Sequence, residues 1–465
     1  MIFPGVVFLF AFLPAVFFFY FVILKNNPKA KNILLLFASL FFYAWGEGKN
    51  VILLILSAVM NYLFGLKALP GKKGKPWMAA AAVFNLSFLF VYKYLDFTIS
   101  SVNDIFGTGF GTYGIALPIG ISFFTFQALS YVADVHMGRV EAQKDPLAVA
   151  LYISFFPQLV AGPIVRYSDI AKEIRTRKET KEDFVSGTER FIEGMGKKVL
   201  LADTFSLFSD RLMAQVGAGE LISTAAAWFG VLCFMLRIYY DFSGYSDMAI
   251  GLGRMFGFHF NENFDHPYIA DSVTDTWRRW HISLGSWFKD YVYIPLGGSK
   301  KGKFRTFLNQ LVVWTLTGLW HGADVTYIAW GLLNFVFLNI EKYTGLGKRV
   351  KLPKILAVIY ADLIFAIGLV FFFAPDMITA IDYLGRLIGA GAGMNFAAGA
   401  APAAVLLDLS DNIIFFITGI IFCFPVYKFF ERRKTLKRAL LTAVFLLCVI
   451  YIQKGGYSPF IYFNF

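Results

Sequence analysis

Two histidines stand where an imidazole could do proton chemistry. His321 lies in WTLTGLWHGA (314–323), beside Trp320 and flanked by Gly318 and Gly322, and His281 lies in WRRWHISLGSWFKDYVYIPLGG (277–298). Imidazole ionises at about pH 6.5, so it can take a proton from a hydroxyl nucleophile and return it near neutrality. The glycines beside His321 would let a substrate approach closely. The competing reading makes His321 a structural histidine bonded to a neighbouring helix, and the bare residues leave both open. Arg278 and Arg279, set between Trp277 and Trp280, carry a similar choice. Guanidinium groups pair with phosphate or carboxylate, and His281 would then line the same cavity. An Arg-Arg pair framed by tryptophans also reads as an aromatic-anchored segment at a membrane surface.

Further charges stand in RIYYDFSGYSDMAIGLGRMFGF (237–258). Arg237 and Asp241 are four apart, so one helical face would pair them. Asp247 and Arg254 follow, and structural pairing is the favoured role for this group. Its glycines are not a phosphate fingerprint, since no strand precedes them. His259 and His266 bracket HFNENFDH, whose spacing fits no zinc template, and no metal is expected. His136, beside Arg139 and Glu141, reads as a loop residue. The basic segment 166–178 could hold a phosphorylated donor, although a solvated loop is the plainer account. Cys233, Cys423 and Cys448 sit in apolar runs and read as small buried hydrophobes.

These charges interrupt a chain of 465 residues that is 57% hydrophobic and 16% charged, with 54 Phe and a net charge of +12. A soluble domain would carry about a quarter charged residues. The balance is that of an integral membrane protein with many spans. Its Lys and Arg fall in short loops between apolar runs, which assigns them to cytoplasmic orientation and headgroup attraction rather than to nucleic acid. The runs are 3–24, 33–45, 50–66, 77–94, 115–135, 222–240, 308–320, 324–342, 355–373, 413–428 and 438–452. Broken runs at 147–163, 199–216 and 244–258 predict re-entrant or half-length helices, tolerated where protein or water surrounds them. Phe3–Leu24 reads as a retained first span. No internal repeat appears, so one membrane domain over 1–465 is expected, with a catalytic core at about 115–342.

Loop charge sets the orientation. Basic loops after the first and third runs, at 166–181, 300–305, 342–354 and 428–438, would be cytoplasmic, while the acidic stretches 95–114 and 374–412 would face outward. The runs 308–320 and 324–342 then form a hairpin whose turn, Trp320 to Ala323, points outward. The rising limb has 13 residues, or ~20 Å of helix. That is shorter than the hydrocarbon core, so His321 would lie within the membrane.

The motifs together resemble a known family. WRRWHISLGSWFKDYVYIPLGG followed downstream by LWHGA is similar to the membrane-bound O-acyltransferases. PIGISFFTFQALSYVADV (118–135), FFPQLVAGPIVRY (155–167), YYDFSGYSDMAIGLGRMFGF (239–258) and the closing SPFIYFNF (458–465) narrow the likeness to the bacterial alginate O-acetyltransferase-like subgroup, related to the teichoic-acid D-alanyl transferase. One departure is visible. The family usually carries an aromatic just after WHGA, where Asp324 and Val325 stand here.

The resemblance implies an all-α polytopic fold of about 11–12 transmembrane helices and half-helices in a ring around a central tunnel, in the bacterial cytoplasmic membrane. It implies catalytic roles for His321, as base, and for His281, which would orient the donor or stabilise an oxyanion. Arg166, Arg278 and Arg279, with Trp277 and Trp280, would hold the donor. Asp241, Asp247, Arg237 and Trp320 would line or brace the tunnel. The donor would be a thioester on coenzyme A or on a carrier phosphopantetheine, entering from the cytoplasm, with no permanently bound cofactor. The acyl group, in the simplest case acetyl, would pass to a hydroxyl of an envelope polysaccharide or an exported partner protein outside. D-alanyl transfer for teichoic-acid modification is the alternative within enzymes. Outside them stands a transporter or channel, against which speaks the lack of matching halves with paired broken helices.

Overall fold

The computed structural model describes residues 1, 3–345, 352–390, 401–430, 432–455 and 459–461, with the backbone alone at 401–408, 411 and 427. Lys348, Arg349 and Lys351 of the predicted cytoplasmic loop, Glu431, the stretch 391–400 of the predicted outward segment, and Ser458 and 462–465 of the closing motif lie outside the described residues. The regular elements among the described residues are helices, with no strand. Five helical stretches among them are long and apolar enough to cross a membrane: Pro28–Lys67, Lys75–Phe106, Thr224–Met255, Lys354–Phe373 and Lys434–Gln453. The first, at 40 residues, would span ~60 Å as one rod, twice the hydrocarbon core. Gly48 breaks it, with φ 56° and ψ −123°, a conformation open to a residue without Cβ. The two predicted runs 33–45 and 50–66 thus become Pro28–Glu47 and Val51–Lys67.

The helices gather into two compact units. The first comprises Met1–Gly194 with Tyr245–Glu262, and the second Met195–Gly244 with Asn263–Phe465. The helix Thr224–Met255 supplies residues to both. Sequence reading split this helix into a span at 222–240 and a broken run at 244–258. Its glycines do not break it, because they are where neighbouring backbone approaches: a Cβ on Gly251 would meet the Gly187 carbonyl oxygen at 2.5 Å.

In the first unit the many phenylalanines find their use in ring-on-ring packing. Phe8, Phe12, Phe42 and Phe156 interlock with centroids 5.5–6.2 Å apart. The broken run at 147–163 forms two short buried helices, Pro146–Ser154 and Phe156–Leu159. The basic segment 166–181 is not a solvated loop. Residues Tyr167–Thr176 are helical with an apolar face, and the nearly buried Arg177 donates to Tyr20 Oη at 2.8 Å and Asn32 Oδ1 at 2.6 Å. His136 is the last residue of the helix Ile121–His136 rather than a loop residue. His259 is gripped by carboxylates, with Nδ1 2.8 Å from Glu173 and Nε2 3.2 Å from Asp183. Partial burial opposes its charge, but these two hydrogen bonds outweigh that and raise its pKa above the ordinary value.

In the second unit the predicted hairpin is present as Lys303–His321 and Val325–Thr344. Its first limb begins at Lys303, well before the apolar run, and its 19 residues make ~28 Å of helix, close to the hydrocarbon thickness. A short limb is therefore not what sinks His321. Protein packing buries it, leaving 3% exposed. Asp324, the departure from the family pattern, caps the second limb by accepting from the Thr326 N–H at 2.8 Å.

The glycines near His321 serve helix packing rather than substrate approach. A Cβ on Gly318 would lie 2.4 Å from the Tyr327 carbonyl oxygen, one on Gly331 2.4 Å from the Trp314 carbonyl oxygen, and one on Gly322 2.0 Å from the Tyr327 ring. Small residues here let the two limbs touch backbone to backbone. Gly318→Ala is expected to cost about 1–3 kcal/mol of stability through overpacking against main chain that cannot yield. Thermal unfolding of the detergent-solubilised protein measures it, and an unchanged midpoint would contradict this packing account.

Candidate active site

His321 ends the first limb of the hairpin, and aromatic rings wall it. Its ring centroid lies 5.0 Å from Trp320, 5.0 Å from Trp330 and 5.1 Å from Phe372. The last two come from Val325–Thr344 and Lys354–Phe373, so three helices fix one imidazole.

His281 sits where the short helices Val273–Arg279 and Ile282–Phe288 meet. Its φ of +46° is a left-handed conformation that a residue with a Cβ adopts at a cost. Asn263 offsets that cost. Its carbonyl oxygen accepts from the Ile282 N–H at 3.0 Å, and its side-chain Oδ1 accepts from the Ser283 N–H at 3.1 Å and the Ser283 hydroxyl at 2.9 Å. The Ser283 backbone donor identifies that side-chain atom as oxygen. His281 Nδ1, 3.3 Å from the same oxygen, must then be the protonated nitrogen, which puts the ring's lone pair on Nε2.

The two imidazoles lie together. Their centroids are 6.4 Å apart, and the Trp320 ring lies 5.7 Å from His281. The rings are too far apart to hydrogen-bond to each other and near enough to face one substrate between them. Phe242 meets the His281 ring edge-on at 4.6 Å, and His281 is 2% exposed.

Trp277 and Trp280 join this core and do not form an interfacial belt. Trp277 packs on Trp314 and Trp330 at 4.9 and 5.4 Å, and its Nε1 donates to Asn334 Oδ1 at 2.9 Å. Trp280 is buried against Phe264 and Phe365 at 5.1 and 5.0 Å. Between them, Arg278 is exposed. Arg279 pairs with Asp275 at 2.7 Å and Asp265 at 3.6 Å. His266 Nδ1 is 3.2 Å from the Cys423 carbonyl oxygen.

The predicted Arg237–Asp241 pair does not form. Arg237 pairs with Asp210 instead, and Asp241 is 2.6 Å from Lys198. Groups of opposite charge on another helix win, an acid for Arg237 and a lysine for Asp241. Asp247 and Arg166 belong to the first unit. There Asp247 pairs with Arg190 at 2.6 Å, and Arg166 precedes the helix Tyr167–Thr176, its N–H donating to Asp169 at 3.1 Å.

Sequence reasoning missed Asn263 and Ser283, which set the His281 tautomer. It also missed Glu341, whose carboxylate accepts from the Val273 and Thr274 N–H groups at 2.6 and 2.9 Å and so caps the helix carrying Trp277. The one visible signal was the Asn-rich HFNENFDH, which drew notice only as a possible metal segment.

The model of the membrane-bound O-acyltransferase family matches residues 40–355, a span that includes both histidines and the hairpin. The chain belongs to the membrane-bound O-acyltransferase family. It is 35% identical to a probable alginate O-acetylase of Pseudomonas putida across the whole of both chains. It is 32% identical to a peptidoglycan O-acetyltransferase of Helicobacter pylori over 98% of this chain and 96% of that protein. A teichoic acid D-alanyltransferase of Bacillus subtilis is 26% identical over 48% of this chain and 59% of its own. This protein is thus a multi-pass membrane O-acyltransferase, as the motifs implied.

Proposed function

We propose that the acyltransferase moves an acetyl group from a thioester donor to a hydroxyl of an envelope polysaccharide, with His321 as general base. The observation that supports this most is the buried pair of imidazoles 6.4 Å apart, one held in a fixed tautomer by Asn263. The acetyl group and the polysaccharide follow from the relatives that match the whole chain, an alginate O-acetylase and a peptidoglycan O-acetyltransferase.

In this reading His321 takes the proton of the acceptor hydroxyl as its oxygen attacks the thioester carbonyl carbon. The new C–O bond forms and the C–S bond breaks. The departing thiolate recovers the proton from the imidazolium, so the histidine ends as it began. The thioester is already activated, and positioning with one base suffices. His281, with its lone pair on Nε2, accepts a hydrogen bond from a second hydroxyl or an amide N–H of a substrate and so orients it, while the reacting hydroxyl gives its one proton to His321. In that tautomer His281 cannot donate to an oxyanion. Arg278 and Arg279 hold the phosphates of coenzyme A or a carrier phosphopantetheine arriving from the cytoplasm, and the acceptor lies outside the bacterial cytoplasmic membrane.

The reading is tested with inverted membrane vesicles loaded with the acceptor glycan and supplied outside with labelled acetyl thioester. Label is expected in ester linkage on the enclosed glycan, dependent on this protein. Label that stays outside would sink the transmembrane direction, and preferential use of a D-alanyl thioester would sink acetyl as the cargo.

A further inference from the structure

A second charged cluster lies in the same unit. Lys198, 1% exposed at its side chain, has its ammonium 2.7 Å from Asp203 Oδ1 and 2.6 Å from Asp241 Oδ1. A lysine buried this deeply is tolerated only with partners. The local fold supplies the first. Gly196–Ala202 is a π-helical turn, whose wider period brings residues five apart into register, and Lys198 and Asp203 are five apart.

The cluster also takes hold of the far end of the chain. Asp241 Oδ2 accepts from the Ile461 N–H at 2.8 Å, across 220 residues. The Lys198 ammonium lies 5.0 Å from the Phe460 ring centre and 3.4 Å from the Pro459 carbonyl oxygen. Three consecutive residues are therefore held by one ion pair, and Phe460 and Ile461 are buried at 1% and 7% exposure. The next residue after Asp241 is Phe242, whose ring rests on His281.

We infer that Lys198 and Asp241 form a clip that docks the segment Pro459–Ile461 onto the helix bearing Phe242, and that Lys198 is thereby a positioning residue for acyl transfer. This rests on the reading that His281 belongs to the reacting site. The clip acts through the helical turn at Tyr240–Phe242. When the chain end is seated, Asp241 is held on both its oxygens and Phe242 is pressed against the imidazole. When it is released, that turn loses its restraint.

Ile461→Pro tests this directly, because proline keeps the chain length and removes the N–H from which Asp241 accepts. Transfer is expected to fall about tenfold, and Asp241→Asn to do likewise. Combining the two should bring no further loss, since both release the same segment. Unchanged transfer in Ile461→Pro, or losses that multiply, would overturn the clip. A second readout uses the buried state of the three native cysteines. Ile461→Cys keeps its N–H and should resist maleimide, and adding Lys198→Gln should speed its labelling about tenfold. Labelling that stays slow in a folded Lys198→Gln protein would equally overturn the inference. Should Lys198→Gln fail to fold, the Ile461→Pro comparison decides alone. Full transfer by a His321→Ala protein would sink the base assignment instead and leave the labelling result standing.

Discussion

Acyl transfer by the His321→Ala protein is expected to fall by about 10²–10⁴-fold, the usual contribution of a positioned general base. The loss should appear in kcat and in kcat/KM alike, because the proton is taken only as the bond forms. Packing damage has a different signature. The ring is walled by Trp320, Trp330 and Phe372, so the substitution leaves an aromatic-lined cavity close to the size of imidazole. Added imidazole should restore part of the rate without changing the melting temperature. A protein that melts normally and transfers at the native rate would remove His321 from the mechanism.

Replacing His281 should cost about 10²-fold, the scale of a reacting group misplaced by about 1 Å. Two variants separate chemistry from backbone strain. Position 281 has φ +46°, which glycine adopts freely and alanine does not. His281→Gly should therefore be folded at least as well as His281→Ala while losing as much activity. Asn263→Leu should reproduce most of the loss with His281 still present, because it removes the oxygen that fixes the tautomer. Steady-state transfer by the three membrane preparations measures this. Native activity in His281→Gly would show that the residue serves only the turn between its two helices.

Much of this site could be read from the sequence because buried charge is expensive. His281 and His321 stood out in a chain this apolar, and their motifs carried the family likeness. The hairpin followed from two apolar runs and the charges of the loops that flank them. What could not be read was which partner each polar group takes. Arg237 and Asp241 are spaced for each other on one helix, yet tertiary contacts give Arg237 to Asp210 and Asp241 to Lys198. Asn263 reaches His281 across 18 residues of loop and short helix, a contact that no periodicity encodes. Gly318 misled for a related reason. A missing Cβ marks a close approach without saying what approaches, and here it is the second limb of the hairpin. The segment 166–181 looked like a loop because its charges hide an apolar face that only its neighbours reveal.

The aromatic wall around His321 has a practical consequence. Two indoles, Trp320 and Trp330, lie with their centroids 5.0 Å from that imidazole, and a protonated imidazole at such range quenches indole emission. The candidate site thus carries its own optical reporter, one that would brighten or dim if His321 takes and returns a proton as proposed. Turnover could be followed from the protein's intrinsic light, with no label on donor or acceptor.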